Sequence, residues 1–297
     1  VPTSIPDTLH ANLAAGRTKS DQARDLPRYL FAAALAGAFV GVAVVLLLSV
    51  GAPLVAAGSP LAKLAMGSVF GVALTLVVFA GGELVTGNMM VMTQTALGRR
   101  VSWSRAALVC GAALVGNFIG SLALALAVHG SGTFASGPGA ELVAATVAGK
   151  DALSGPQLFW RAVLCNALVC LGLWMAARAT SDTAKLIVLW WALLAFIASG
   201  FEHSVANMTT FAIAALSGSG DWSMLARNLL WTVPGNLVGG ALLVGAGYAW
   251  LGQERPASAP HEAATAAVVT GQDRHPVPAE RTSPQPTALA ETLGVRA

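Results

Sequence analysis

The chain has 297 residues, of which 55% are hydrophobic and only 10% charged, and its mean hydropathy of +0.67 excludes most soluble folds. A net charge of +3 does not make a nucleic-acid surface, because the Lys and Arg residues are thinly spread and no cluster of them is interleaved with aromatics. Of the 31 charged residues, 16 lie in segments 1–28 and 252–297, which leaves 15 for the 223 residues from Tyr29 to Leu251, so the middle reads as a membrane domain.

In chain order, segment 1–28 mixes Leu with charge and is expected to be cytoplasmic, lying along the membrane surface, although Gly16 and Pro27 weaken that reading. Six hydrophobic units follow. They are Tyr29–Val50, closed by Gly51 and Pro53, then Leu64–Leu97, Ala106–Val128, Leu158–Ala177, Ala184–Leu216 and Ala226–Leu251. A Gly/Ser-rich loop is expected over 129–157, and segment 252–297, rich in Pro, Ala, Thr and charge, is expected to be a disordered cytoplasmic tail. Uncharged runs at 29–62, 106–140 and 228–253 exceed the roughly 20 residues that cross a bilayer as a helix, and one signal peptide does not account for three of them. Lys and Arg concentrate on one side, at Arg17, Lys19, Arg24 and Arg28, at Arg99, Arg100 and Arg105, and at Arg178 and Lys185, which places both termini in the cytoplasm. The three cysteines, Cys110, Cys165 and Cys170, lie in apolar runs without a His or Cys at ligand spacing, so neither a metal site nor a disulfide framework is expected, and no cofactor is implied.

The second and fifth units share an interruption. Glu83-Leu84-Val85-Thr86-Gly87-Asn88-Met89 aligns with Glu202-His203-Ser204-Val205-Ala206-Asn207-Met208, and 34 residues after each Glu comes a second shared word, Gly116-Asn117-Phe118-Ile119-Gly120 and Gly235-Asn236-Leu237-Val238-Gly239. Both words recur at an offset of 119 residues, which indicates two homologous three-span halves, about 29–128 and 158–251. Three spans is an odd number, so the second half enters from the opposite face and the repeats are inverted. Each half then carries a carboxylate, Gly and Asn in mid-span, residues that are expensive in lipid and point to a site where discontinuous helices meet.

His203 is the one histidine placed at the expected midplane, directly after Glu202 and four residues before Asn207. Its imidazole can offer an anion a hydrogen bond or a proton. Lys150 is the only basic residue of the 129–157 segment, and a lysine beside a pore raises the local anion concentration, whereas a solvated surface charge is its plainer role. Asn166, in the fourth unit, either lines a pore or pairs with a neighbouring helix.

These words resemble the formate/nitrite transporter family, above all Phe201-Glu202-His203-Ser204-Val205-Ala206-Asn207-Met208, and the likeness runs from about 27 to 251. Leu164-Cys165-Asn166-Ala167-Leu168-Val169-Cys170, Leu189-Trp190-Trp191-Ala192-Leu193-Leu194-Ala195-Phe196 and Asn228-Leu229-Leu230-Trp231 are more similar to its nitrite-channel branch. The resemblance implies an all-α, aquaporin-like protomer of six spans with two broken helices in the plasma membrane, assembled as a homopentamer with a pore in each protomer for nitrite, formate or hydrosulfide. It implies His203 as the central pore residue supported by Glu202 and Asn207, Thr86 in the loop of the first broken helix, and Lys150 as a buried lysine. It also implies Phe70 and Phe196 at the outer constriction and Leu74, Leu84 and Val85 at the inner one, where Val85 replaces a frequent aromatic. On this reading Lys150 and the half-helix N-termini attract the anion, and His203 donates a hydrogen bond or lends a proton at the apolar rings. An aquaporin-type channel for neutral solutes is disfavoured because Met, and not Pro-Ala, follows the Asn of each break. An intramembrane enzyme lacks a nucleophile constellation around Glu202 and His203.

Overall fold

A computed structural model describes residues 1–253, so the expectation of a disordered tail lies, apart from its first two residues, outside the described residues. Among the described residues all regular structure is helical. Helix α1 (Ile5–Gln22) starts at Ser4, whose Oγ accepts from the Asp7 N–H at 3.2 Å, and it buries Leu9, Asn12, Gly16 and Ser20 along one face. Gly16, which weakens a helix reading in the sequence, is required by packing, since a side chain there would overlap Thr95. Helix α2 (Leu26–Ala56) carries Pro27 in its first turn, where the missing N–H is no loss.

Among the described residues five helical stretches are long and apolar enough to cross a membrane: Leu26–Ala56, Ala62–Gly81, Trp103–Ser131, Gly155–Arg178 and Trp222–Leu251. The second comprises α3 (Ala62–Val69), α4 (Val72–Thr75) and a π-helical turn, Leu76–Gly81. After it the chain is extended through Leu84 and resumes as α5 (Val85–Leu97). The third is α6 (Trp103–Ser131) and the fourth is α8 (Gly155–Arg178). The unit expected at Ala184–Leu216 is split into α9 (Asp182–Ala198) and α10 (Ser204–Leu216), each too short to span alone. The last stretch begins as α11 (Trp222–Leu237), widens into a π-helical segment, Val238–Ala246, and closes as α12 (Gly247–Leu251).

The expected 129–157 loop is corrected by the structure. Helix α6 runs on to Ser131, and α7 (Gly137–Asp151) follows, burying Leu142, Val143 and Val147 against α2 and α10. Its small residues hide a short helix whose apolar positions are too few to register as a span.

Each break is built the same way. Gly81 (φ 87°) and Gly200 (φ 72°) turn the chain through the left-handed region that side chains resist, and two residues later stand Glu83 and Glu202. Non-helical backbone at membrane depth has to be satisfied by protein or by a water-filled cavity. Asn117 on α6 does this for the first break: its Oδ1 accepts from the Val85 N–H at 2.9 Å, and its Nδ2 donates to Ala33 O at 2.7 Å and Glu83 O at 2.9 Å. Asn236 on α11 repeats all three contacts in the second, accepting from Ser204 N–H at 2.9 Å and donating to Ala162 O at 2.8 Å and Glu202 O at 3.0 Å. The N–H of Glu83 reaches Ala32 O, as that of Glu202 reaches Arg161 O. The helix pairs that carry these clamps cross in contact, because a Cβ on Gly120 or Gly239 would overlap the carbonyl of Ala34 or Val163.

Two outcomes follow from this packing. Gly120→Leu forces α2 and α6 apart and is expected to abolish the monodisperse protein in detergent chromatography, whereas Gly130→Ala, at an exposed site on the same helix with open space around it, leaves the profile unchanged. Asn236→Ala orphans Ser204 N–H and Glu202 O, each costing about 1–3 kcal/mol, and is expected to lower the thermal unfolding midpoint in detergent, with Asn117→Ala doing the same at the first break.

Candidate functional site

The two breaks meet at His203 and Thr86. His203 is the N-cap of α10 in extended conformation, with its ring Nδ1 accepting from the Ala206 N–H at 3.2 Å. An acceptor Nδ1 assigns the hydrogen of the neutral ring to Nε2, which lies 3.2 Å from Thr86 Oγ1. The imidazole therefore presents an N–H toward the opposing broken helix. Thr86 stands within the first turn of α5 rather than in the extended link before it. Asn166 anchors the same junction from α8, donating from Nδ2 to Asn236 O at 2.7 Å and Thr86 O at 3.2 Å. Helices α5 and α10 both begin here, so their N-terminal turns, with their positive dipole ends, adjoin the His203–Thr86 contact.

Glu202 is buried beside His203 and accepts from Lys150 Nζ at 2.8 and 2.9 Å and from Asn207 Nδ2 at 2.7 Å. Asn207 also donates to Asn228 Oδ1 at 2.8 Å. Lys150 thus comes from α7 as the half-buried partner of a buried carboxylate, and its charge is offset where it stands. The first half contains a counterpart that sequence reasoning missed: Lys19 of α1 donates to both oxygens of Glu83 at 2.7 Å, and Asn88 Nδ2 reaches Glu83 at 2.9 Å and the Tyr29 hydroxyl at 3.0 Å. The sequence offered no signal for it, because Lys19 sits among several charges that look solvated.

An open cavity of about 360 Å³ leads to this centre from the side of α7, with Lys150, Glu202, His203, Asn207, Phe70 and Phe196 in its wall. Phe70 and Phe196 meet edge to face at 5.6 Å between centroids, and the His203 ring lies nearly parallel to Phe196 at 5.9 Å. These three rings also wall a second cavity of about 10 Å³, room for one water at most, whose other lining includes Leu74 and Leu84. The rings therefore partition the wide cavity from the narrow one. Val85 is not brought into that group; its side chain lines a separate apolar cavity of about 610 Å³ with Met89, Cys110 and Leu237.

The comparisons with known proteins agree with one another. The model of the family "Formate/nitrite transporter" matches residues 6–250. "Nitrite transporter NirC" of Salmonella typhimurium is 40% identical over 232 residues, which cover 76% of this chain and 84% of that one. "Formate channel BtFdhC" of Bacillus thuringiensis is 33% identical over 236 residues, covering 80% and 90%. Among solved structures, an "FNT family ion channel" superposes with a TM-score of 0.78 at 36% identity, over 84% of this chain and 99% of that one. A "Pentameric formate channel with formate bound" superposes with a TM-score of 0.67 at 28% identity, over 77% and 98%. With the match running through both broken helices and the His203–Thr86 junction, the chain belongs to the formate/nitrite transporter family, a family of membrane transporters and channels rather than of enzymes.

Proposed function

We propose that the chain conducts small monovalent anions, nitrite first and formate second, through a pore in each protomer of a homopentamer in the plasma membrane, with both termini cytoplasmic. Each protomer is read as six spans, two of them broken, in aquaporin-like inverted repeats. The observation that carries the proposal is the Nε2–H of His203 held toward Thr86 between two sets of apolar side chains. An anion passing Phe70 and Phe196 sheds hydration that the rings do not replace, and the penalty is several kcal/mol for a bare charge. The imidazole N–H, the Thr86 hydroxyl and the N-terminal turns of α5 and α10 supply donors where that hydration is lost. Lys150, Glu202 and Asn207 hold the start of α10, while Leu74 and Leu84 restrict the path beyond the histidine.

The assigned tautomer supports hydrogen-bond donation over proton lending. Lending a proton requires the imidazolium first, and its Nδ1–H would confront the Ala206 N–H that now caps the helix. Nitrite is placed ahead of formate because the chain shares 40% identity with a relative named as a nitrite transporter and 33% with one named as a formate channel.

The test is uptake of nitrite and of formate by the purified protein in liposomes across external pH, with proton uptake followed in parallel. Removing a hydrogen bond to a charged partner, worth about 1.5–3 kcal/mol, predicts at least roughly tenfold slower flux for His203→Ala. His203→Asn keeps a side chain able to cap α10 but loses the reach of Nε2, and is expected to be comparably slow while remaining folded. Undiminished flux in both variants would contradict the role given to the ring.

A further inference from the structure

The wide cavity on the α7 side holds a second cation, Arg161 of α8, and its circumstances differ from those of Lys150. Lys150 is neutralised by both oxygens of Glu202. Arg161 is half-buried, has no carboxylate within ion-pairing distance among the described residues, and makes one long contact, from Nη1 to Gly200 O at 3.4 Å. Of the charged groups in the cavity wall, Lys150 and Glu202 cancel and Arg161 supplies the remaining positive charge.

The repeat separates what the fold needs at this position from what it does not. The carbonyl of Arg161 accepts the Glu202 N–H, as the carbonyl of Ala32 accepts the Glu83 N–H in the first half. An alanine therefore suffices for the structural task. The guanidinium is an addition, present in one half, at the mouth of a cavity that ends on His203.

Resting on the anion-conducting reading above, we infer that Arg161 is the residue that collects the anion in this vestibule, engaging a small planar oxyanion or carboxylate through its free N–H donors before the anion reaches Phe70, Phe196 and His203. A guanidinium offers a planar fork that matches two oxygens of one ligand, and a charge in a cavity with low-dielectric walls raises the local concentration of its counter-ion. Lys150, whose charge is offset by the two bonds to Glu202, acts on the local structure of the break instead.

The experiment has two readouts. In cells expressing the chain, where all copies share one orientation, Arg161→Gln is expected to raise the half-saturating nitrite concentration at low ionic strength roughly tenfold, with the maximal rate little changed, and to flatten the dependence on salt. Arg161→Lys is expected to retain the salt dependence. In the purified wild-type protein, phenylglyoxal modification of Arg161, followed by peptide mass spectrometry, is expected to slow as nitrite or formate is added. An unchanged half-saturation and salt slope in Arg161→Gln overturns the inference, as does an equal loss of maximal rate in both variants, which marks a structural role. Protection of Arg161 in a protein that moves neither anion keeps this inference and refutes the conducting function, whereas flux without protection does the reverse.

Discussion

A chain that leaves its helix within a membrane domain has to find partners for the N–H and C=O groups it frees, and at each of its two breaks this chain uses one asparagine for the first donor of the resuming helix and the carbonyl of the break glutamate. Asn117 and Asn236 each take one donor from the resuming helix and give two to carbonyls, one at the break and one on the neighbouring long helix. Without them the extended links at Glu83 and Glu202 would have unpaired backbone at depth. With them, the starts of α5 and α10 are fixed against α2 and α8, and the side chains at those starts, Leu84 and His203, face one another across a cavity barely large enough for a water.

The framework repeats, but the equipment hung on it does not. Both halves use a lysine from a short preceding helix to neutralise the break glutamate, and both use the following asparagine to hold it. At the N-cap, however, the first half has Leu84, with no side-chain cap, where the second has His203, whose ring caps the helix and turns its other nitrogen toward Thr86. In the supporting span the first half has Ala32 where the second has Arg161. Duplicated geometry thus builds a site, and unmatched substitutions give it one imidazole and one uncompensated cation.

Much of this was legible in the residues. Continuous spans announce themselves by hydropathy, and the breaks by Glu and Asn in apolar surroundings recurring at a constant offset. His203, Glu202, Asn207, Thr86 and Asn166 were identifiable from the words around them, and the structure brings them into one hydrogen-bonded group with Lys150. Helix α7 was not legible, because Gly137, Pro138 and a scatter of alanines conceal three buried apolar residues. Lys19 escaped notice for a different reason: a pairing between the N-terminal helix and a carboxylate 64 positions away leaves no local pattern. The clamping role of Asn117 and Asn236 was likewise hidden in words that served only to reveal the repeat. Val85 illustrates the limit of neighbourhood, since adjacency to Leu84 in sequence does not bring its side chain to the same cavity.

The central claim is that an anion meets the Nε2–H of His203 at the junction of the two broken helices. Crystals of the protein soaked in bromide, a monovalent anion with an anomalous signal, test it most directly. The account predicts an anomalous peak within hydrogen-bonding distance of His203 Nε2 and Thr86 Oγ1, absent in His203→Asn. Bromide found at other sites only, with none beside His203 in the wild-type protein, would contradict it.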